Sequence, residues 1–464
     1  MRGDPCSLMR LETHCFRLLK FYYAVTHHES INLPEQSGVV GEVRNSISSL
    51  TGDTTLNIAA TPLTQKMTWI TDYMEADEIL RTPSFLQASK MESKELIGDT
   101  IITLDGDAHT TYRRRLARLV SRPALAHYDV QIFEPAIRET LERTAKRRGA
   151  DRLVRTNLVD FVRSVFLRIG ADIIGIGPLA NEEDEQELLR ELRLFIDGAT
   201  VEWSRRDHRE VLAEAQEARE AFLKRFFDAA WAERLRQVAD VATGKLQEDK
   251  LRPDLLTILA RNAQDNGPDR EQAIRESILF IVASTLNNAG LVTNFVDELS
   301  AWNVAHKDAP LNIEDKKVFQ KAMDETLRLH PPAPALIRSP LAHAKLSSGR
   351  EFQPGELVAL DLVKVNRDPK AFGRDAESFN PGRTLAPMVR AYGLAFGAGA
   401  HFCLGQPMVT MSKGGLDQES VGSQYKLINA LYKAGIRQDP QHPPVLVNSA
   451  QDRYDDYPVI FDRL

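Results

Sequence analysis

One cysteine in this chain stands in a pattern that could do chemistry. Cys403 lies in Phe396-Gly397-Ala398-Gly399-Ala400-His401-Phe402-Cys403-Leu404-Gly405, with glycines at 397, 399 and 405. Glycine lets backbone take positive φ or come close to a neighbouring group. Four readings of such a loop compete. A nucleophilic cysteine needs a base; His401 is two residues away, although nucleophile and base are normally brought together by the fold rather than by adjacency. A zinc site needs further Cys or His ligands, and none is spaced for it. A haem thiolate needs a single cysteine, N–H groups around the sulfur, and glycines that let a flat macrocycle lie close. A buried structural cysteine needs none of these.

Four other stretches occur upstream. They are Asp105-Gly106-Asp107-Ala108-His109-Thr110-Thr111-Tyr112-Arg113-Arg114, Glu325-Thr326-Leu327-Arg328, Val365-Asn366-Arg367-Asp368-Pro369 and Phe379-Asn380-Pro381-Gly382-Arg383. With the cysteine loop, in this order, they resemble the cytochrome P450 family. Its signature F-x-x-G-x-x-x-C-x-G is matched by Phe396, Gly399, Cys403 and Gly405, and its E-x-x-R by Glu325 and Arg328. The resemblance runs in patches from about residue 60 to about 410. It implies a mainly α haem-thiolate fold with a small β subdomain, and haem b bound through Cys403 as the metal ligand. It also implies propionate partners at His109, Arg113, Arg338 and His401. Glu325 and Arg328, i and i+3, share a helix face. On a surface such a pair is worth under about 1 kcal/mol; the resemblance puts it inside, joined by Arg383 as a structural lock. The reaction implied is oxidation of a small organic substrate with O2 and two electrons from a ferredoxin and its reductase. The exposed-looking cluster Arg114, Arg115 and Arg118 suits docking of an acidic partner.

The charge-free run from Ser277 to Val296 is long enough to span a bilayer. Ser277, Ser284, Thr285, Asn287, Asn288, Thr293 and Asn294 make it too polar for a lipid-facing helix, so it reads as a helix buried in a large domain, with no membrane anchor. The resemblance places this helix over the distal face of the haem, where family members carry a small-residue pair, then an acid and a threonine that pass protons to oxygen. Setting Ala283-Ser284 as the small pair puts Leu286 at the acid and Asn287 at the alcohol. Leucine holds no proton, and an amide hydrogen-bonds without relaying protons efficiently. Asn287, Asn288 and Thr285 are therefore the candidate catalytic residues. Three oxidations stay open: monooxygenation with protons from water, Thr285 or a substrate hydroxyl; use of peroxide or a substrate hydroperoxide; and an atypical coupling or rearrangement. From other classes, a cysteine hydrolase pairing Cys403 with His401 and a non-enzymatic haem sensor or carrier also remain.

The elements that must position these residues are mostly helices. Hydrophobic residues make up 43% and charged residues 27% of the 464, an ordinary globular balance that excludes disordered and collagen-like classes. Lys and Arg number 59 against 65 Asp and Glu, a net charge of −6, so nothing suggests a nucleic-acid partner. Three cysteines (Cys6, Cys15, Cys403) are too few for a disulfide scaffold, and a cytoplasmic setting is the default. Residues 1–60 read as an N-terminal extension and the start of the fold, and 60–464 as one domain. Periodicity predicts helices over 128–148, 156–175, 211–241, 271–303 and from near 313 to Pro331-Pro332, with another opened by the acidic run after Asn181. Strands are expected over Met67–Tyr73, Ala335–Ile337 and Glu356–Leu362. After Cys403, Pro407 and Lys413-Gly414-Gly415 predict a broken helix that resumes over Tyr425–Lys433. The substrate pocket is expected to draw on residues 84–103, the turn at 203–207, and Phe280 to Asn288.

Overall fold

The computed structural model describes residues 66–89, 92–204, 206–263, 270–410, 422–446 and 454–464. Residues 1–60 with Cys6 and Cys15, Arg205, and Lys413-Gly414-Gly415 lie outside the described residues. The architecture is mainly α with small sheets. The helices used below are α1 (Tyr73–Arg81), α2 (Gly106–Leu116), α3 (Glu134–Ala145), α4 (Leu158–Ile174), α5 (Glu182–Ala199), α6 (His208–Phe222), α7 (Asp228–Ala242), α8 (Arg270–Ala305), α9 (Lys316–Leu329), α10 (Gln406–Val409) and α11 (Ser423–Lys433).

The centre of the molecule is the pair α4 and α8. In α4 the predicted stripe Leu158, Phe161, Val162, Val165 and Phe166 is buried. Asn157 starts the helix by accepting from Val159 N at 2.8 Å, and Gly175 ends it at φ 106°. The two helices lie so close that a Cβ on Gly170 would meet Ser284 Oγ at 2.6 Å, which is why α4 tolerates a glycine there. Among the described residues α8, 36 residues long, is the one helix apolar enough to cross a membrane. Here α4, α5 and α9 pack against it. Phe295 of α8 meets Phe319 of α9 with ring centroids 5.2 Å apart, a contact worth about 1 kcal/mol beyond area burial.

The acidic run opens α5 as expected, with Asn181 accepting from Asp184 N at 2.8 Å and four acids in the first turn facing the positive end of the helix. The long 211–241 prediction is one helical path with a wide turn in it: α6 and α7 are joined through a π turn at Leu223–Phe227. A similar turn at Asp129–Phe133 precedes α3.

The predicted strand Met67–Tyr73 shortens to β1 (Thr68–Ile70), because Asp72 caps α1 instead, its Oδ1 accepting from Met74 N at 2.9 Å. With β2 (Phe85–Gln87), β3 (Val154–Asn157), β4 (Ala335–Pro340), β5 (Ala344–Lys345), β6 (Glu351–Phe352) and β7 (Val358–Asp361), two features matter here. The four-stranded sheet runs β1-β7-β4-β2, and its register sets Gln87 opposite Arg338. After the cysteine, α10 lasts four residues and stops at Thr410; α11 starts at Ser423.

Candidate active site

The cysteine loop is held from both ends. Cys403 N donates to Phe396 O at 2.9 Å, closing the loop on its own start. Gly397 and Gly399 sit at φ 67° and 66°. A Cβ on Gly399 would fall 2.2 Å from Leu80 O of α1, so no side chain fits there. The Cys403 side chain is open rather than packed, although it lies deep among protein atoms. Burial pushes its thiol pKa up; the backbone N–H groups of Gly405 and Gln406 and the nearby Arg113 act the other way, favouring the thiolate. A Cβ on Gly405 would lie 3.8 Å from the sulfur, so a larger side chain would crowd it.

Beside this loop three elements bring His109, Arg113, Arg338 and His401 together. His109 and Arg113 share one face of α2, His401 closes a short 3-10 turn, and Arg338 comes from β4. The His109 and His401 rings lie 4.1 Å apart, and Arg113 Nη2 donates to Phe402 O at 2.6 Å. His109 is 2% exposed and its Nε2 has no partner. Burial, with His401 and Arg113 nearby, pushes its pKa down to about 4. Burial also lowers the pKa of His401, against the pull of Asp105. Arg338 is 3% exposed, bonded among the described residues to Gln87 Oε1 and the Ile337 carbonyl, and its pKa is pushed down to about 10 by burial. Neither arginine has an ion-pair partner among the described residues.

Asp105 and Gln87 complete this cluster, and neither is assigned a role by the sequence. Asp105 stands at the N-cap of α2 but makes no cap bond. Its Oδ1 meets His401 Nε2 at 3.1 Å and its Oδ2 accepts from Gln87 N at 3.1 Å.

Behind the loop, Glu325 and Arg328 form the predicted pair, with Arg383 added. Arg328 Nε and Nη2 donate to the two Glu325 oxygens at 2.7 and 2.8 Å, and Nη1 donates to the carbonyls of Asn366 and Ala376. Arg383 Nη2 donates to Glu325 Oε1 at 2.9 Å and Nη1 to Asp375 Oδ1 at 2.6 Å. Asn366, from the predicted 365–369 stretch, also accepts from Leu394 N at 2.8 Å, tying the lock to the residues before the cysteine loop.

On α8 the three candidate catalytic residues separate. Ala283 and Asn287, one turn apart, form an exposed strip on a helix that is otherwise mostly buried. Asn288 is fixed: its Nδ2 donates to Ser284 O and its Oδ1 accepts from Gln424 Nε2 of α11, each at 2.5 Å. Thr285, about 200° around the helix from Asn287, is fully buried with an unpartnered hydroxyl. It faces a cavity of about 320 Å³ between α3, α4 and α5, shared with Leu286 and Asp197, rather than the Ala283–Asn287 strip. Thr285 and Asn287 therefore do not act at one point.

The same pattern of small pair, spacer, acid and alcohol also fits Ala289-Gly290-Leu291-Val292-Thr293. This frame ends on a true threonine. Thr293 Oγ1 donates into the helix groove, to Ala289 O at 2.9 Å and Gly290 O at 3.0 Å, and Val292 stands at the acid position. The signal that distinguishes the two frames is the hydroxyl at the last position.

Haem b carries two carboxylates, and in a haem-thiolate protein a cysteine holds its iron. The residues present fit it: an open cysteine with two N–H groups at its sulfur, the buried Arg338 and half-buried Arg113 without carboxylate partners among the described residues, and a buried histidine nitrogen with no partner among them. Cys403 would hold the iron, and His109, Arg113, Arg338 and His401 the propionates. The competing readings fit less well. Among the described residues no hydrogen bond joins His401 to Cys403, and His401 Nε2 meets Asp105 instead, so the loop does not present a nucleophile–base pair. No group of three metal-ligating side chains occurs among the described residues.

Comparison with known proteins agrees. The family model described as Cytochrome P450 matches residues 312–413, which span the lock and the cysteine loop. Cytochrome P450 119 of Sulfolobus acidocaldarius is 29% identical over 154 residues, 33% of this chain and 38% of that protein. The match thus spans well under half the length of that relative. The C-19 steroid 1alpha-hydroxylase of Sorangium cellulosum is 23% identical over 370 residues, covering 79% of this chain and 82% of that protein. Among solved structures, CYP109E1 from Bacillus megaterium in complex with corticosterone superposes with a TM-score of 0.63 at 16% identity, over 91% of this chain and 98% of that one. HmtT, involved in himastatin biosynthesis, gives 0.64 at 20% identity, over 86% and 93%. The fold is the one these cytochrome P450 structures share, and the segment that carries the lock and the cysteine loop matches that family's model.

Proposed function

We propose that the chain is a haem-thiolate monooxygenase that hydroxylates a small organic substrate. The balance is one C–H bond, O2, two electrons and two protons giving C–OH and water. The observation that carries the reading is the open Cys403, with N–H groups at its sulfur and the unpaired arginines of the carboxylate cradle beside it. When bound, haem supplies the oxygen activation, which a thiolate ligand favours. The chain's own residues do the rest. Gly405 and Gln406 N–H groups hold negative charge on the sulfur. His109, Arg113, Arg338 and His401 fix the propionates. Phe396, Gly399 and Gly405 give the loop its shape, and Glu325, Arg328 and Arg383 keep it in place. Protons reach the distal side by way of the Thr293 hydroxyl and ordered water, and Asn287 orients substrate or water on the open strip of α8.

Electrons come from a ferredoxin and its reductase. Arg114 on α2 and Arg118 in the 3-10 turn that follows it are exposed and Arg115 is half-exposed, without ion-pair partners among the described residues, and they offer an acidic protein a docking surface. The steroid named for two relatives makes a mid-sized apolar molecule the substrate class to screen first. We read α8 as a core helix and the enzyme as cytoplasmic, with residues 60–464 as one domain.

A second reading is favoured by one observation: neither frame on α8 carries an acid, since Leu286 and Val292 stand there. In it, peroxide or a substrate hydroperoxide replaces O2 and the electrons, so that C–H and H2O2 give C–OH and water. An atypical coupling or rearrangement would draw on the same residues. Product formation with NADPH, ferredoxin and reductase, compared with peroxide alone, separates the two. Faster turnover through the redox chain supports the monooxygenase; product with peroxide and none through the redox chain overturns it.

A further inference from the structure

Asp72, Asp207, Asp315, Asp361 and Asp368 each cap a helix and accept from an N–H of that helix's own first turn. Asp105 caps α2 and does not. A carboxylate that leaves its own helix N–H groups aside must be held by something else. Here both oxygens are spent outside the helix, on His401 Nε2 and Gln87 N, at 3.1 Å each. Gln87 passes the connection on, because its Oε1 accepts from Arg338 across the β2–β4 register. The chain His401–Asp105–Gln87–Arg338 links two of the four propionate partners and runs through four separate segments, the 3-10 turn, the N-cap of α2, β2 and β4. It also puts one negative charge among the two guanidinium groups of Arg113 and Arg338. With two propionates present, carboxylates there outnumber guanidinium groups by one.

We propose that Asp105, acting through Gln87, is a positioning residue of the haem carboxylate cradle, and that its charge holds the iron's reduction potential down. This rests on the haem-thiolate reading above. A nearby negative charge favours the more positive, oxidised iron, so its removal favours reduction. The positioning half depends on hydrogen bonds and the potential half on charge, so the two are separable.

The test uses the haem-loaded full chain in a dithionite titration and in haem transfer to excess apomyoglobin. Asp105→Asn is expected to raise the equilibrium constant for one-electron reduction severalfold, with the thiolate–CO band unmoved. Gln87→Ala, which removes no charge, is expected to leave the potential in place and speed haem loss severalfold. An Asp105→Asn protein with wild-type potential and wild-type haem loss would overturn the proposal. Should Asp105→Asn not fold, haem loss from Gln87→Ala decides, and an unchanged rate overturns it. A wild-type chain that takes up no haem, or shows no thiolate band, would instead sink the haem-thiolate reading itself.

Discussion

The lock behind the cysteine and the helix in front of it treat polar groups in opposite ways. Around Glu325 every oxygen is bonded: two arginines and Asn380 N converge on it, and the guanidinium of Arg328 is fully buried. On α8 polar groups are left over: Thr285 Oγ1 has no partner, and Asn287 is exposed in mid-helix. Buried charge is tolerable only where it is fully satisfied, and such a network fixes geometry. Unspent hydrogen-bonding capacity belongs where something else must bind. The first region is built to hold and the second to react.

Breaking the lock should have the largest effect. Arg328→Ala leaves Glu325 buried against a single arginine and should cost about 3–5 kcal/mol, read as a fall in the denaturant midpoint. A loss under about 1 kcal/mol would mean that the pair behaves as a surface pair.

Glu276 extends the contrast into α8 itself. It is fully buried: Oε2 accepts from Ile101 N at 3.2 Å, Oε1 is unpartnered among the described residues, and burial pushes its pKa up to about 8. The folded state therefore keeps a proton that the unfolded chain loses at lower pH. Stability falls as pH rises from the ordinary carboxylate range to about 8 and is flat above it. Glu276→Gln should remove that slope and gain about 4 kcal/mol at pH 8. Parallel pH–stability curves for the two proteins would contradict this.

Arg338→Ala, which empties one corner of the carboxylate cradle, should speed haem transfer to apomyoglobin about tenfold, the loss of one charge-assisted hydrogen bond. The smallest effect distinguishes the two frames on α8. Thr293→Ala should divert a severalfold larger share of electrons to free peroxide, while Asn287→Ala should alter substrate affinity and leave that share unchanged. The reverse pattern would restore the Ala283-Ser284 frame.

The lock was legible because its first pair is local: i and i+3 on a helix that periodicity already predicts. The cysteine loop was legible for the same reason, all its parts falling within ten residues. What stayed hidden depends on tertiary contact. Asp105 looks like any helix cap until β2 and His401 are brought to it. Gln87 is one polar residue in a three-residue strand. The α8 frame is a local ambiguity, since two small pairs six residues apart both fit the pattern and one of them leads to a threonine. The face to which Thr285 turns follows from the way α3, α4 and α5 pack, which periodicity does not encode.

The most direct test of the central claim is the absorption spectrum of the dithionite-reduced, CO-bound protein. The account predicts a red-shifted thiolate Soret band that Cys403→His abolishes while haem is retained. A histidine-type band in the wild-type chain would contradict it.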